Sequence, residues 1–433
     1  MSKELSFKEK MKLMQMRHRE KALSHSLIAI IILAIPFFGH QWLFSAEAPS
    51  NTRPDNVEYR MSMVGDMMLG RHVHDAAVRS GEHVGRTFDY VTPFFQESDY
   101  VTGNFESPIL DPYHERYDDS DDPDIPDFST LKSDSELDNK DIHFYAEPWA
   151  IEALEKAGFD SVTLANNHAL DYGDLSLEDT LEHFADSSIQ TLGIGDAINL
   201  DEDEIEDGAV DAAEVSFFDI NDNTRAGIIG YTEVKTRGFD AREHVGGVLT
   251  YEEIGELRSR IENAKLPEEE GGGGADIIIV HVHWGDEYQV GFNEDQEEKA
   301  QFLTNYGADI IVGHHSHVLE PITIVEGIDG NKSIVMNSLG NFVFDQGWSR
   351  TKESAIAQLD FLDNGSKQLS FVPLHITDTR PKETFGLMKP YQDFRIFRTL
   401  RKELENDKWS VQDGRLIIDL DEAGVLEGVD ITS

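Results

Sequence analysis

The sequence predicts an α/β layered domain, and three observations carry the prediction. Apolar runs rich in β-branched residues recur along the chain, segments with helical spacing lie between them, and several of the runs end in polar residues. Ile310-Ile311-Val312 leads into Gly313-His314-His315-Ser316-His317, Ser161-Val162-Thr163-Leu164-Ala165 into Asn166-Asn167-His168, and Ile277-Ile278-Ile279-Val280 into His281-Val282-His283. Continuous apolar runs are typical of strands buried inside parallel sheets. The loops at the carboxyl ends of such strands are where open α/β folds place their chemistry. Strand and helix alternation of this kind gives layers, so the polar strand ends are expected to gather on one edge.

In chain order, residues 1–26 carry seven Lys or Arg and three Glu, and the run Leu27 to Phe38 is wholly apolar. Extended through Phe44 it reaches 18 residues, near the lower limit of about 17 for a spanning helix. Basic residues before it and acidic ones after it predict a membrane anchor over 27–44, with a cytoplasmic amino terminus, an external remainder and Trp42 at the outer interface. A cleaved signal peptide ending near Ala46-Glu47-Ala48 is the alternative, and the long charged region ahead of the apolar run favours the anchor. Residues 45–58, with Pro49 and Pro54, predict a linker. The main domain is expected over 59–375 and a carboxyl-terminal extension over 376–433.

Within that domain, Arg60 to Val64 predicts a strand followed by the turn Gly65-Asp66, and Val101 to Glu106 a second strand and its exit. The Asp-rich stretches at 111–141 and 199–211 cannot bury enough apolar surface to order themselves and are read as exposed acidic insertions. Pro148 suits a first helical turn and opens a helix to Ala157, which Gly158 ends. A helix over Leu175 to Phe184, strands over Thr191 to Ile194 and Arg225 to Tyr231, and a helix over Tyr251 to Ala264 follow. Glu268 to Gly274 reads as a flexible connector, and Gln296 to Tyr306 as the helix before the central histidine strand. Ser333 to Asn337, Ala355 to Phe361 and Ser370 to His375 are expected to close the sheets. A charged helix near Asp393 to Leu404 and two short strands end the chain.

The chain has no cysteine, which removes disulfides, thiol nucleophiles and thiolate metal sites together. Any metal is therefore held by His, Asp, Glu and Asn, donors that suit Mn, Zn, Fe or Mg. Two such ions can activate a water and stabilise an in-line displacement at phosphorus. The candidate ligands are Asp66, Asn104, Glu106, Asn167, His168, His283, His315 and His317, with Asp66, Asn167, His168 and His283 the candidates for the chemistry itself. Each has a plainer reading. Asp66 makes a turn after Gly65, Asn104 and Glu106 cap or hold a loop, and His168 is a structural histidine bonded to Asp171. His281 is expected on the other face of its strand, in the core. His315 and His317 are expected to share one face of an extended segment, with His314 pointing away. Asp345 and Gln346 either order the site from a final loop or form a simple turn. No Gly-x-Ser-x-Gly elbow and no Walker-type phosphate loop is present, so a serine triad and a nucleotide site are set aside.

Six motifs in order give the chain a resemblance. They are Val64-Gly65-Asp66-Met67-Met68-Leu69-Gly70-Arg71, Gly103-Asn104-Phe105-Glu106, Ala165-Asn166-Asn167-His168-Ala169-Leu170-Asp171-Tyr172-Gly173, His283-Trp284-Gly285-Asp286-Glu287-Tyr288, Gly313-His314-His315-Ser316-His317-Val318 and Ser338-Leu339-Gly340-Asn341-Phe342-Val343-Phe344-Asp345-Gln346. Together they resemble the poly-gamma-glutamate capsule biosynthesis family called CapA or PgsA, over roughly Tyr59 to His375. The resemblance implies a fold similar to calcineurin-like metallophosphoesterases, a two-sheet sandwich flanked by helices. It also implies a role as the membrane-associated, external component of the machinery that makes and exports poly-gamma-glutamate. The implied partners are a separate ligase, membrane subunits and the polymer. The chain lacks an ATP loop, so the amide ligase is a different subunit. A cell-surface metal-dependent hydrolase, acting on a phosphoester or on the polymer, is the alternative. Metallophosphoesterases open with Asp-x-His, whereas Asp66 is followed by Met67 and Met68, so one ligand of that pattern is absent here.

Charge bounds the rest. The chain has 83 Asp and Glu against 37 Lys and Arg, a formal net of -46. Nucleic acid is excluded as an expected partner, because binding it depends on basic side chains that displace counterions from phosphates. Self-repulsion of this size destabilises a compact state in dilute buffer, and concentrated salt, with a Debye length of about 3 Å at 1 M, relieves it. A salt-loving host is the expectation. The urea midpoint of the protein is expected to rise between low and molar NaCl; a midpoint that stays level overturns it.

Overall fold

The computed structural model describes residues 6–19, 21–38, 46–80, 84–111, 140, 142–200, 204–205, 208–234, 236–429 and 431. Most of the acidic insertion at 111–141, and residues 201–203 and 206–207 of the one at 199–211, lie outside these. Residues up to 47 fall, with Phe385–Pro390, in one unit, which has helices at Phe7–Arg19 and Ala22–Phe38. The second of these carries the first part of the apolar run expected as an anchor over 27–44, and residues 39–45 lie outside the described residues. Among the described residues no helix is long and apolar enough to cross a membrane.

From Ala48 onward the chain builds two large sheets, besides a two-stranded one of Ile194–Gly195 with Gly247–Val248. The first has, in spatial order, Trp409–Gln412, Arg415–Asp419, Lys367–Thr377, Glu353–Leu362, Val57–Met67, Tyr100–Phe105, Ser161–Thr163 and Gln190–Leu192, with Asn341–Val343 and Arg380–Glu383 paired to its side. The second runs Ile322–Glu326, Lys332–Met336, Ile310–His314, Ile277–His283, Thr224–Thr232 and Ser216–Asn221. Met61 and Met63 of the first sheet pack with Ile228, Ile279 and Val312 of the second in one buried cluster. The outer face of the first sheet is covered by Ala150, Leu154 and Phe184 from helices, and that of the second by Leu257, Ile261 and Leu303. This is the two-sheet sandwich flanked by helices.

Local signals explain several boundaries. The helix Trp149–Ala157 follows Pro148 and stops at Gly158, whose φ of 99° lets its N–H reach the carbonyls of Leu154 and Glu155. The helix Glu294–Asn305 opens with a capping box between Asn293 and Gln296. Other elements differ from expectation. Glu268 to Gly274 is no free connector, because a 3-10 turn at Glu268–Glu270 leads to bonds from Gly273 N to Asn263 O (3.0 Å) and Gly274 N to Leu266 O (2.8 Å). Residues beyond 376 enter the core, where Ile396, Leu416 and Ile418 are buried between the sheets. Thr52, expected in the linker, is likewise buried, and its carbonyl accepts from Arg60 and Arg415, each at 2.8 Å.

Arg60 is the structural counterweight to so many acids. Its Nε and Nη2 meet the two oxygens of Asp360 at 2.6 and 2.9 Å, with both side chains almost wholly buried. Removing one partner leaves a buried charge unpaired, which costs about 3–5 kcal/mol. Asp360→Ala is expected to lower the unfolding free energy by that amount, read from urea denaturation in high salt; a loss below about 1 kcal/mol, the value of an exposed pair, overturns this assignment.

Candidate metal centre

Register brings the polar strand ends together. Asp66 pairs across parallel strands with Asn104 on one side and Asn341 on the other. In the second sheet, His314 pairs with His283 and His283 with Thr232. Gly65 makes the placement of Asp66 possible. A Cβ there would lie 1.9 Å from the Gly340 carbonyl oxygen, the same oxygen that accepts from Asp66 N at 2.8 Å. The histidine loop is not extended, since His315 and His317 have φ of 91° and 58°. Backbone held in that region by a residue other than glycine costs about 1–3 kcal/mol. The turn carries the His317 ring to Asp66 and Glu106 and the His315 ring to His283.

At the centre lies the buried Asp66 carboxylate. Its Oδ1 accepts from Asn104 Nδ2 at 2.8 Å and lies 3.4 Å from His314 Nδ1. Its Oδ2 accepts from His315 N at 3.2 Å and lies 3.5 Å from His317 Nδ1. Burial pushes this carboxyl up, but bonds from His314 and His317 outweigh burial and hold it well below the usual range. Glu106 is the opposite case. It is fully buried, neither carboxylate oxygen has a hydrogen-bond partner, and burial pushes it well above the usual range, with Asp66 adding to the push. His317 Nε2 stands 3.8 Å and His168 Nε2 4.0 Å from Glu106 Oε1.

The remaining candidates converge on the same place. His283 Nε2 lies 2.9 Å from Asn167 Oδ1 and 3.1 Å from His315 Nδ1, and Asn104 Nδ2 approaches His283 Nδ1 at 3.4 Å. Burial pushes His283 well below the ordinary imidazole value and His315 down to about 3, so both rings are neutral and keep a lone pair. His168 bonds Asp171 through Nδ1 at 2.5 Å and stacks on Phe144 at 3.9 Å. Its two readings are therefore compatible: the Asp171 bond orients the ring and leaves Nε2 facing Glu106, as metal-bound histidines are oriented. All eight expected site residues thus line one buried locus.

Two orientations need correction. His281 does not face away from His283, because residues two apart in a strand share a face. It points between the sheets and meets Thr102 Oγ1 at 3.2 Å. His314 does not point away either: it ends the strand Ile310–His314 on the same face as Val312, and the positive φ at His315 breaks the alternation only after it. Sequence reasoning also passed over Asn341, whose Oδ1 lies 3.0 Å from His317 Nδ1. Its place in the Leu339-Gly340-Asn341 motif was the available signal. Asp345 and Gln346 do order the site: Asp345 pairs with Arg71 at 3.1 Å, and Gln346 joins Asn341 (3.0 Å) to Tyr288 (3.1 Å).

Above the cluster opens a cleft of about 460 Å³ that His168 and His317 floor and Arg71, Tyr288 and Trp348 border. A buried carboxyl group with no hydrogen bond, within reach of the neutral His283 ring, is a cation's environment rather than a core's. Asp66, Glu106 and His283 bring ligand atoms within 4.8 Å of one another. The donor set fits a divalent ion with oxygen and nitrogen preference, as expected for Mn, Zn, Fe or Mg.

Two comparisons with known proteins agree with one another. The model of the family described as bacterial capsule synthesis protein PGA_cap matches residues 60–346. The chain is 35% identical over 433 residues to the PGA biosynthesis protein CapA of Bacillus subtilis (strain 168), covering 99% of this chain and 100% of that one. It is 32% identical over 430 residues to the capsule biosynthesis protein CapA of Bacillus anthracis, covering 99% and 94%. A probable polyglutamine synthesis accessory protein of Mycobacterium tuberculosis is 27% identical over 210 residues, 46% of this chain and 50% of that one.

The electrostatics carry a pH prediction for the metal-free protein. Burial pushes His317 down, but Glu106 and Asp66 push it up further, to about 9. A raised imidazole stabilises the fold fully below its unfolded value of about 6.5, and that stabilisation is lost as pH rises to about 9. Metal-free stability is expected to fall between pH 6.5 and 9 by an amount on the order of 2–3 kcal/mol, and His317→Ala to flatten that fall. Urea midpoints across the range check it; equal slopes in the two proteins refute it.

Proposed function

The chain belongs to the bacterial capsule synthesis protein family PGA_cap, and on that premise we propose that it is an accessory component of poly-gamma-glutamate synthesis and export. The observation that carries this is likeness along 99% of the chain to two proteins named for capsule or PGA biosynthesis. The missing phosphate loop supports division of labour: a separate ligase makes the amide bonds, and this chain works beside it and membrane subunits. The apolar run over 27–44 anchors the chain with its amino terminus in the cytoplasm, and the sandwich handles the polymer outside. The basic leader before the run supports that orientation.

A second reading is favoured by one observation, the buried Glu106 carboxylate with no hydrogen-bond partner. In it the protein is a surface metal-dependent hydrolase related to the metallophosphoesterases. Asp66, Glu106, His283, His315 and His317, with Asn104 and Asn167, hold a divalent ion that when bound supplies Lewis-acid stabilisation and an acidified water. His168, its Nε2 aimed by Asp171, completes that set. Tyr288 and Trp348 border the space a substrate enters. The two readings are compatible, since an accessory protein can trim or release the polymer it handles.

Deleting the gene is expected to abolish extracellular polyglutamate, and restoring it to bring the polymer back; unchanged polymer in the deletion overturns the first reading. Metal analysis of the full chain, purified in detergent and high salt, is expected to find stoichiometric divalent metal that a His168→Ala, His317→Ala double variant lacks. No metal in the wild type overturns the second.

A further inference from the structure

A second cavity lies on the outer face of the first sheet. Met61, Leu359, Leu369 and Leu416 point between the sheets, so by strand alternation Arg60, Asp360, Gln368, Ser370 and Arg415 point the other way. These five, with Thr52, line a space of about 580 Å³. Arg60 and Asp66 belong to one strand, Val57–Met67, and the six residues between their positions separate them by roughly 20 Å. The cavity is therefore distinct from the candidate metal centre.

Charge inside the cavity does not balance. Arg60 is engaged by Asp360, and Arg53, also in the wall, by Asp99 at 2.8 Å. Arg415 Nη1 donates to the neutral Gln358 Oε1, and its Nη2 to the Thr52 carbonyl that Arg60 Nη1 also uses, all at 2.8 Å. Two guanidiniums thus converge on one carbonyl oxygen, and among the described residues Arg415 makes no ion pair. Burial, then Arg60, pushes Arg415 below the usual guanidinium range, and Asp360, Glu383 and Asp413 act on it only through space. Ser370, 1% exposed, adds a hydroxyl with no hydrogen-bond partner. A buried polar group without a partner is costly, and a buried cation short of counter-charge more so. One carboxylate answers both, because it accepts from a guanidinium and from a hydroxyl together. Asp55 and Asp413, exposed at the rim, oppose a second negative charge, which favours a carboxylate over a phosphate dianion.

We propose that this cavity is a carboxylate-binding site, in which Arg415 and the Ser370 hydroxyl hold the carboxylate of a ligand that enters over the outer face of the first sheet. Two sources share that chemistry. One is a glutamyl residue of the polymer, which rests on the accessory reading above and gives a protein of net charge -46 a place to hold a polyanion. The other is a small free carboxylic acid.

A ligand that binds only the folded chain raises its unfolding midpoint with concentration. Full-length protein in detergent and high salt, at constant ionic strength, is unfolded in urea with a γ-glutamyl pentamer, with butyrate or with inorganic phosphate. The pentamer is expected to raise the wild-type midpoint and phosphate to leave it level. Affinity drawn from that rise is expected to fall about tenfold or more in Arg415→Met and by a smaller factor in Ser370→Ala. Each variant is compared with itself, with and without ligand, so a less stable variant still gives an answer. No rise with either carboxylate, or an undiminished rise in Arg415→Met, overturns the site. A rise with phosphate equal to that with the carboxylates overturns the ligand class. A rise with butyrate alone, lost in Arg415→Met, upholds the site and overturns the polymer as its source. The gene deletion tests the accessory reading separately, so the two failures are told apart.

Discussion

The buried carboxylate of Asp66 is the constraint around which the rest of the sandwich is arranged. An ionised group out of water is costly unless it is paired and fully hydrogen-bonded, and every strand end near it supplies a partner. Asn104 comes from the neighbouring parallel strand, and His314 and the His315 N–H from the facing sheet. Asn104 is in turn held by Asn166 at 3.1 Å, from the loop after the third strand. The two sheets therefore meet at their carboxyl edges through charge and hydrogen bonds, whereas along their centres they meet through Met61, Met63, Ile279 and Val312. A packed core tolerates small rearrangement at little cost; a charge with directional partners does not.

That contrast explains what was legible in the sequence. Apolar runs announce buried strands, and polar residues at their ends announce an edge, so the site's residue types and their convergence could be read. Orientation could not be read where the backbone left the strand. His314 keeps the face of Val312 through strand alternation, whereas His315 and His317 leave that alternation through positive φ that no pattern announces. His281 was misassigned although period-two geometry places it beside His283. The edge strands Ser216–Asn221 and Ile322–Glu326 escaped because half-exposed strands lack a continuous apolar signal. The role of the segment past 376 escaped for another reason. Its strand Arg415–Asp419 pairs with Lys367–Thr377, and its helix residue Ile396 fills space between the sheets. Neither fact has a local signature.

Strain at the histidine loop and close approach at Gly65 belong to one design. The Gly340 carbonyl can touch the Asp66 strand only where no Cβ stands, and that contact brings Asn341 beside Asp66 and His317. Asn341 then links through Gln346 to Tyr288, whose ring stacks on His317 at 5.7 Å. The left-handed residues His315 and His317 are thus braced on the cleft side. Strained backbone persists where surrounding structure over-determines it.

The same braces bear on how a cation and a proton share the site. In the metal-free protein one positive charge already sits among the carboxylates, because Glu106 and Asp66 hold His317 protonated at neutral pH. On the proposed metal reading, a divalent ion takes the His317 lone pair, so its binding releases that proton. His283 and His315, pushed far down by burial, have none to give up. On the proposed reading His283 and His315 are ligands already in their binding state, whereas His317 and Glu106, both pushed up, are the groups that exchange protons with the ion. Glu106, with no hydrogen bond of its own, is the group whose environment improves most when the exchange occurs.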